Sequence, residues 1–92
     1  MKFYLVKTTS IATQQNPNFA GQILITYEGK DQTRLKREGT NYPEYNRDVI
    51  CGTMLYEYGY RRECDAKRSY AYRNPENDAY WTSAVEIVEY EI

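Results

Sequence analysis

Alternation of hydrophobic and polar side chains predicts a β-strand near the start of the chain. Within residues 2–11, Phe3 and Leu5 share one face of such a strand, and Tyr4 and Val6 share the other. Apolar groups on both faces are typical of a strand that is covered on both sides. We therefore predict that this strand is central in a sheet or has one face covered by helices.

The end of the chain, residues 81–92, alternates with a break in phase. Val85 and Ile87 lie on one face, but the next apolar residue, Val88, begins a series on the other face. A β-bulge would explain the break, and so would a strand that is covered on both faces. Because both faces carry apolar residues, we predict that residues 84–92 occupy a central position in the sheet.

Between these two predicted strands, the hydrophobic segments are shorter and the chain is more polar. Residues 21–27 are rich in β-branched side chains and predict another strand. Residues 31–40 are mostly charged and predict either a loop or a frayed helix that ends at Gly39.

A helix is predicted over the middle of the chain. Asn41, Pro43 and Glu44 have the order of residues that begins a helix, and Gly59 is suited to end it. An alternation of tyrosines in residues 46–60 predicts a strand there instead. The start and stop signals favour the helix over the strand.

A second helix is predicted over residues 62–73, where Asn74 and Pro75 end it. No repeat or linker divides the chain, and 92 residues suit one domain. The pattern therefore predicts a single α+β domain over residues 1–92. We expect a small antiparallel sheet of about three strands with two helices packed on one face.

The sequence carries few of the residues that catalysis or metal binding requires. It has no histidine, and it has no phosphate-binding loop, dinucleotide fingerprint or calcium loop. Cys51 and Cys64 do not form a CxxC pair, and we expect both to be buried free thiols. We predict that the protein is not an enzyme and binds neither a cofactor nor a metal ion.

Charge and hydropathy further limit the partners. No stretch approaches the roughly 18 apolar residues of a membrane span, so a cytoplasmic protein without a membrane partner is expected. The net charge is −1, but residues 61–73 carry five cations and two carboxylates, whereas residues 74–92 carry five carboxylates and no cation. We expect some of these opposite charges to pair, and a partner could be selected by either sign.

The strongest candidate for a binding site is a series of tyrosines interleaved with cations. Rings beside guanidinium groups bind single-stranded nucleic acids, and tyrosine and arginine also dominate protein–protein hot spots. In a simpler interpretation, the rings pack at the core edge and the cations form a solvated helix face. The candidate partner-binding residues are Tyr56, Tyr58, Tyr60, Arg61, Arg62, Lys67, Arg68 and Tyr70.

Residues 58–62, a basic helix with Ala66 and Arg68, and Trp81 followed by residues 85–89 together resemble small accessory proteins of phages and other mobile elements. This resemblance covers about half of the chain. It implies a protein-binding inhibitor of a bacterial defence complex, as anti-CRISPR proteins are, with a host nucleoprotein complex as partner. Some such inhibitors are acidic mimics of nucleic acid, which would suit the acidic end of the chain. The alternative is a small single-stranded nucleic-acid-binding domain.

Overall fold

The structure, a computed structural model, describes residues 1–40 and 50–92. It contains four strands, three short α-helices and one turn of 3-10 helix at Lys30–Gln32. The strands are β1 (Lys2–Ala12), β2 (Ile23–Glu28), β3 (Arg34–Gly39) and β4 (Trp81–Glu91), and the helices are α1 (Gly52–Tyr58), α2 (Glu63–Lys67) and α3 (Tyr70–Arg73). The strands form one antiparallel sheet in the order β3-β2-β1-β4. The α+β class is confirmed, with one more strand and one more helix than predicted.

β1 lies inside the sheet, because β2 pairs with one of its edges and β4 with the other. Phe3 and Leu5 point to one face, called the first face below, and Val6 points to the opposite, second face. The exposed fractions of these three residues are 1%, 0% and 0%. The prediction of a central strand over residues 2–11 is therefore confirmed.

Helices cover both faces of the sheet. On the first face, Leu55 of α1 is buried with Phe3 and Leu5. On the second face, α3 lines a cavity together with β1 residues, and Ala66 of α2 is fully buried. The predicted placement of both helices on one face is therefore wrong. β1 carries apolar side chains on both faces, and the apolar side chains of each face must be covered by a helix.

Among the described residues, β4 pairs only with β1 and so is an edge strand, and the predicted central position of residues 84–92 is wrong. Its register with β1 is continuous, which excludes a bulge as the cause of the phase break. Instead, Val85 and Ile87 lie on the second face, while Val88 joins the core of the first face. The phase break therefore arises because β4 is covered on both faces, which was the predicted alternative to a bulge.

β3 corrects the prediction of a loop or frayed helix in residues 31–40. Its charged side chains surround Leu35, which is only 4% exposed and packs in the core of the first face. The register between β3 and β2 shifts between Tyr27 and Glu28. A bulged, highly charged strand is typical of a sheet edge, where such features oppose further pairing.

The helices also differ from prediction in their bounds. α1 confirms the prediction of a helix, rather than a strand, before Gly59. The predicted start of that helix, at Asn41, Pro43 and Glu44, lies outside the described residues. The predicted helix over residues 62–73 is broken at Ser69, whose backbone is extended (ψ 143°). None of the helices within the described ranges is long and apolar enough to cross a membrane.

The chain leaves α1 through a turn that has no room for a side chain at Gly59. A Cβ atom there would lie 2.6 Å from the carbonyl oxygen of Leu55 and 3.0 Å from Cδ1 of Phe3. The φ angle of Gly59 is −69°, so backbone strain does not require the glycine. The requirement is steric, since the turn packs closely against the backbone carbonyl of Leu55 and against the buried Phe3 side chain.

We expect Gly59→Ala to lower the free energy of unfolding by about 1–3 kcal/mol, because the added methyl group forces the turn away from the carbonyl of Leu55 and from Phe3. Urea unfolding measures this change. Gly52→Ala is the matched control, since its Cβ would meet only Cδ1 of Ile92 at an ordinary 3.6 Å. Equal stability of the two variants would contradict the steric explanation.

Candidate functional site

Tyr56 and Arg61 both rest on the ring of Phe3. The ring centroids of Phe3 and Tyr56 are 5.1 Å apart in an edge-to-face arrangement, with 75° between the planes. The guanidinium carbon of Arg61 lies 5.0 Å from the Phe3 centroid. Tyr56 is nevertheless 59% exposed, and Arg61 is exposed as well. A buried ring from β1 therefore positions an exposed ring and an exposed cation.

At this end of the sheet, two exposed apolar side chains extend the surface that Tyr56 and Arg61 form. Met1 and Ile92 are each 51% exposed, and the amide of Ile92 donates to the carbonyl of Met1 at 2.9 Å. Ile92 approaches Gly52, which lies one helical turn before Tyr56 and so on the same side of α1. Met1, Tyr56, Arg61 and Ile92 are called the Tyr56 surface below.

Tyr58 and Tyr60, also predicted to bind a partner, serve mainly to hold the chain in place. Tyr58 is half-buried and packs against the core of the first face. Tyr60 forms a two-way backbone bridge with Tyr4, with N–O distances of 2.8 and 3.0 Å. Its hydroxyl also donates to the carbonyl of Gly29 at 3.5 Å. These contacts fix the backbone just before Arg61.

The predicted basic residues of the α2 region form ion pairs with carboxylates of the same helix. Arg62 Nε donates to Asp65 Oδ2 at 3.0 Å, and Lys67 Nζ lies 3.2 Å from Glu63 Oε1. Arg68 also approaches Asp65, at 4.0 Å. The hydrogen bond from Arg62 lowers the pKa of Asp65 and raises the pKa of Arg62. α2 therefore presents a surface of mixed sign rather than a purely basic one.

The expected pairing between the basic helix and the acidic end of the chain is not found among the described residues. Carboxylates of β4 pair with lysines of β1 instead: Glu86 lies 3.3 Å from Lys7, and Glu89 lies 3.6 Å from Lys2. The register of the sheet places these groups opposite or diagonal to each other.

Tyr70 lies on the second face, where it helps to line a cavity of about 290 Å³ between α3 and the sheet. The hydroxyls of Ser10 and Ser83 are 2.8 Å apart in this region. This cavity was not predicted from the sequence, although the polar residues on the second face of β1 were a signal for it. Its lining includes Thr8, Ser10, Thr26, Glu28, Arg34, Tyr70 and Ser83.

The two cysteines are free, as predicted, but their predicted burial is wrong. Cys51 precedes α1 and Cys64 lies on α2, and both are exposed. No cluster of cysteine, aspartate and glutamate that could hold a metal ion occurs in residues 1–40 and 50–92.

The carboxyl group of Glu28 lines the cavity and is the basis of a prediction. Burial raises its pKa above the ordinary value of 4.5, and the charge of Arg34 opposes this shift. The folded protein therefore binds this proton more tightly than the unfolded chain does. The stabilisation that the protonated Glu28 carboxyl provides is fully present below its ordinary pKa. It is lost as the pH rises through the raised pKa of the folded protein.

We expect Glu28→Gln to be at least as stable as the wild type at neutral pH, because the variant has no carboxylate to desolvate. Its advantage should disappear below pH 4.5, where the wild-type carboxyl is protonated. Urea unfolding over a pH series measures both effects, with Glu91→Gln as an exposed control. A stability difference that does not depend on pH would contradict the prediction.

Comparison with known proteins gives no relative for this chain. No protein-family model matches it, and no curated protein or solved structure matches it either. Among the surfaces of the described residues, the Tyr56 surface combines exposure, apolar area and side chains anchored on a buried ring.

Proposed function

We propose that the chain is a non-enzymatic protein-binding module and that the Tyr56 surface is its contact site. The observation that carries this proposal is the position of Tyr56 and Arg61 on the buried ring of Phe3. Tyrosine and arginine are among the residues that contribute most to binding energy at protein interfaces. Side chains that are ordered before binding lose less conformational entropy when a partner docks.

The neighbouring apolar side chains support the same function. Met1 and Ile92 each expose about half of their surface, and Ile92 approaches the side of α1 that carries Tyr56. An apolar patch next to an anchored aromatic ring and a cation has the composition of an interface centre. A matching partner would offer an apolar patch for Tyr56 and Ile92 and a carboxylate for Arg61.

The more specific proposal is a phage-type inhibitor that acts in the bacterial cytoplasm on a defence complex. It is supported by the resemblance of the second half of the chain to accessory proteins of mobile elements, anti-CRISPR proteins among them. Residues 58–62 belong to that resemblance, and they include Arg61 of the Tyr56 surface. Nothing in this proposal requires a cofactor or a catalytic residue.

Binding of single-stranded nucleic acid is the alternative, and one observation favours it. An exposed ring beside an exposed guanidinium group, as in Tyr56 and Arg61, can stack on a base and contact a phosphate. This function requires an affinity for RNA or DNA that falls steeply with salt, because phosphate contacts release counterions. Titration of labelled single strands at low salt separates the two functions.

We expect the double substitution Tyr56→Ala, Arg61→Ala to weaken binding of a partner captured from bacterial lysate by about tenfold or more, because it removes both anchored contacts. Affinity of the purified pair is measured by calorimetry, after circular dichroism shows that the variant is folded. A lysate that yields no stoichiometric protein partner counts against the proposed function.

The matched control is Tyr80→Ala, Arg73→Ala. Both residues are exposed, and Tyr80 lies at the opposite end of the sheet, next to the last residues of β1. Eleven strand residues separate the two ends, a distance of about 30 Å or more. Equal losses in the control and in the test variant would contradict the assignment of the site to the Tyr56 surface.

A further inference from the structure

The outer edge of β4 presents unpaired backbone groups whose direction follows from the hydrogen bonds. Met1 and Ile92 exchange both backbone hydrogen bonds, so the even-numbered residues of β4 point their N–H and C=O groups toward β1. The odd-numbered residues point away from the sheet. The loop before β4 confirms that the odd-numbered residues point outward. Its residues Asp78 and Asn77 accept hydrogen bonds from the amides of Trp81 and Ser83.

Beyond Ser83, the outward groups have no partner among the described residues. No backbone or side-chain hydrogen bond there reaches the amides or carbonyls of Val85, Ile87 and Glu89. The loop that contains Asn77 and Asp78 therefore covers one end of the edge and leaves the rest open. An open edge of this kind is the template that a further strand needs.

β4 lacks several of the features that usually protect an edge. It is 11 residues long, contains no proline, and pairs with β1 without a bulge. Beyond Ser83, the protection of this edge among the described residues is charge, since Glu86, Glu89 and Glu91 are exposed and the strand carries no cation. These carboxylates oppose pairing with a strand of the same sign and favour a basic one.

We propose that the open edge of β4 binds an extended segment of another protein that carries lysine or arginine at alternating positions. The segment would add a fifth strand to the sheet through the outward groups of Val85, Ile87 and Glu89. This site is separate from the Tyr56 surface, so it does not depend on the proposed function of that surface.

The side chains of β4 specify the partner strand further. Val85 and Ile87 lie half-buried on the second face, and Glu89 follows them on the same face. Cross-strand neighbours on one face contact each other directly. The bound strand therefore places apolar residues beside Val85 and Ile87 on the second face, and its cations lie on the first face, beside Glu86.

A second copy of the chain is a poorer occupant of the same edge. Two β4 strands side by side would place six carboxylates along one junction. Lys7 and Lys2 of each copy lie on the inner side of the strand, where they already pair with Glu86 and Glu89. Like charges on adjacent strands destabilise pairing, so self-association is an outcome that the experiment must distinguish.

The test uses a soluble peptide of alternating lysine and valine, titrated into the full isotope-labelled protein and followed by NMR. We expect the amides of Val85, Ile87 and Glu89 to shift and to become protected from hydrogen exchange. A peptide with glutamate in place of lysine should not bind. The lysine peptide methylated on alternate backbone nitrogens should bind about tenfold more weakly or not at all, because it cannot complete the ladder.

Variants of the protein complete the test. Val85→Pro removes one outward amide and should weaken binding of the peptide by about tenfold. Val85→Ala shortens the side chain but keeps the amide, so it should weaken binding less than Val85→Pro does. If Val85→Pro does not fold, the methylated peptide decides the question on the wild-type protein. Binding that tolerates peptide methylation, or protection of these amides by self-association without peptide, would overturn the proposal.

Discussion

The ladder between β1 and β4 determines which side chains of this protein meet. All eleven residues of β1 pair with β4 in one continuous register. Because side chains alternate between the faces of a strand, this register sends Phe3 and Leu5 to one face and Val6 to the other. A slip by one residue would bring different side chains to each face, and the helices on both sides would lose their apolar contacts.

Both proposed surfaces depend on that ladder. It fixes the ring of Phe3, on which Tyr56 and Arg61 rest, and it joins Met1 to Ile92 beside them. It also pairs the acidic side chains of β4 with lysines of β1, and so draws them away from the basic helix. On its outer side, the same register turns alternate amides of β4 toward solvent.

Local patterns were sufficient to predict the parts of the fold that depend on local periodicity. Residues 2–11 alternate clearly. The phase break after Ile87 suggested either a β-bulge or a strand covered on both faces, and the continuous register leaves the second. β3 escaped prediction because its charged residues resemble a loop, and only the burial of Leu35 against the core marks it as a strand. The break at Ser69 was missed because the sequence of residues 62–73 has no glycine or proline to signal it.

The candidate site, too, could be predicted from the sequence only in part. Tyr56 and Arg61 were predicted from residue type alone, since exposed tyrosine and arginine are common in interfaces. Their platform, Phe3, could not be predicted, because it lies more than fifty residues away in the chain and meets them only through the sheet. Tyr58, Tyr60 and Tyr70 have the same residue type, but their contacts assign them to the core edge and to the cavity on the second face.

Hydrogen exchange of the free protein, measured by NMR at each amide of β4, tests the ladder most directly. The account predicts alternating protection: the amides of Glu86, Val88 and Tyr90 exchange slowly, because they donate to β1, while those of Val85, Ile87 and Glu89 exchange rapidly into solvent. Uniform protection along β4, or alternation in the opposite phase, would show that the register or the open edge is wrong and would contradict the account.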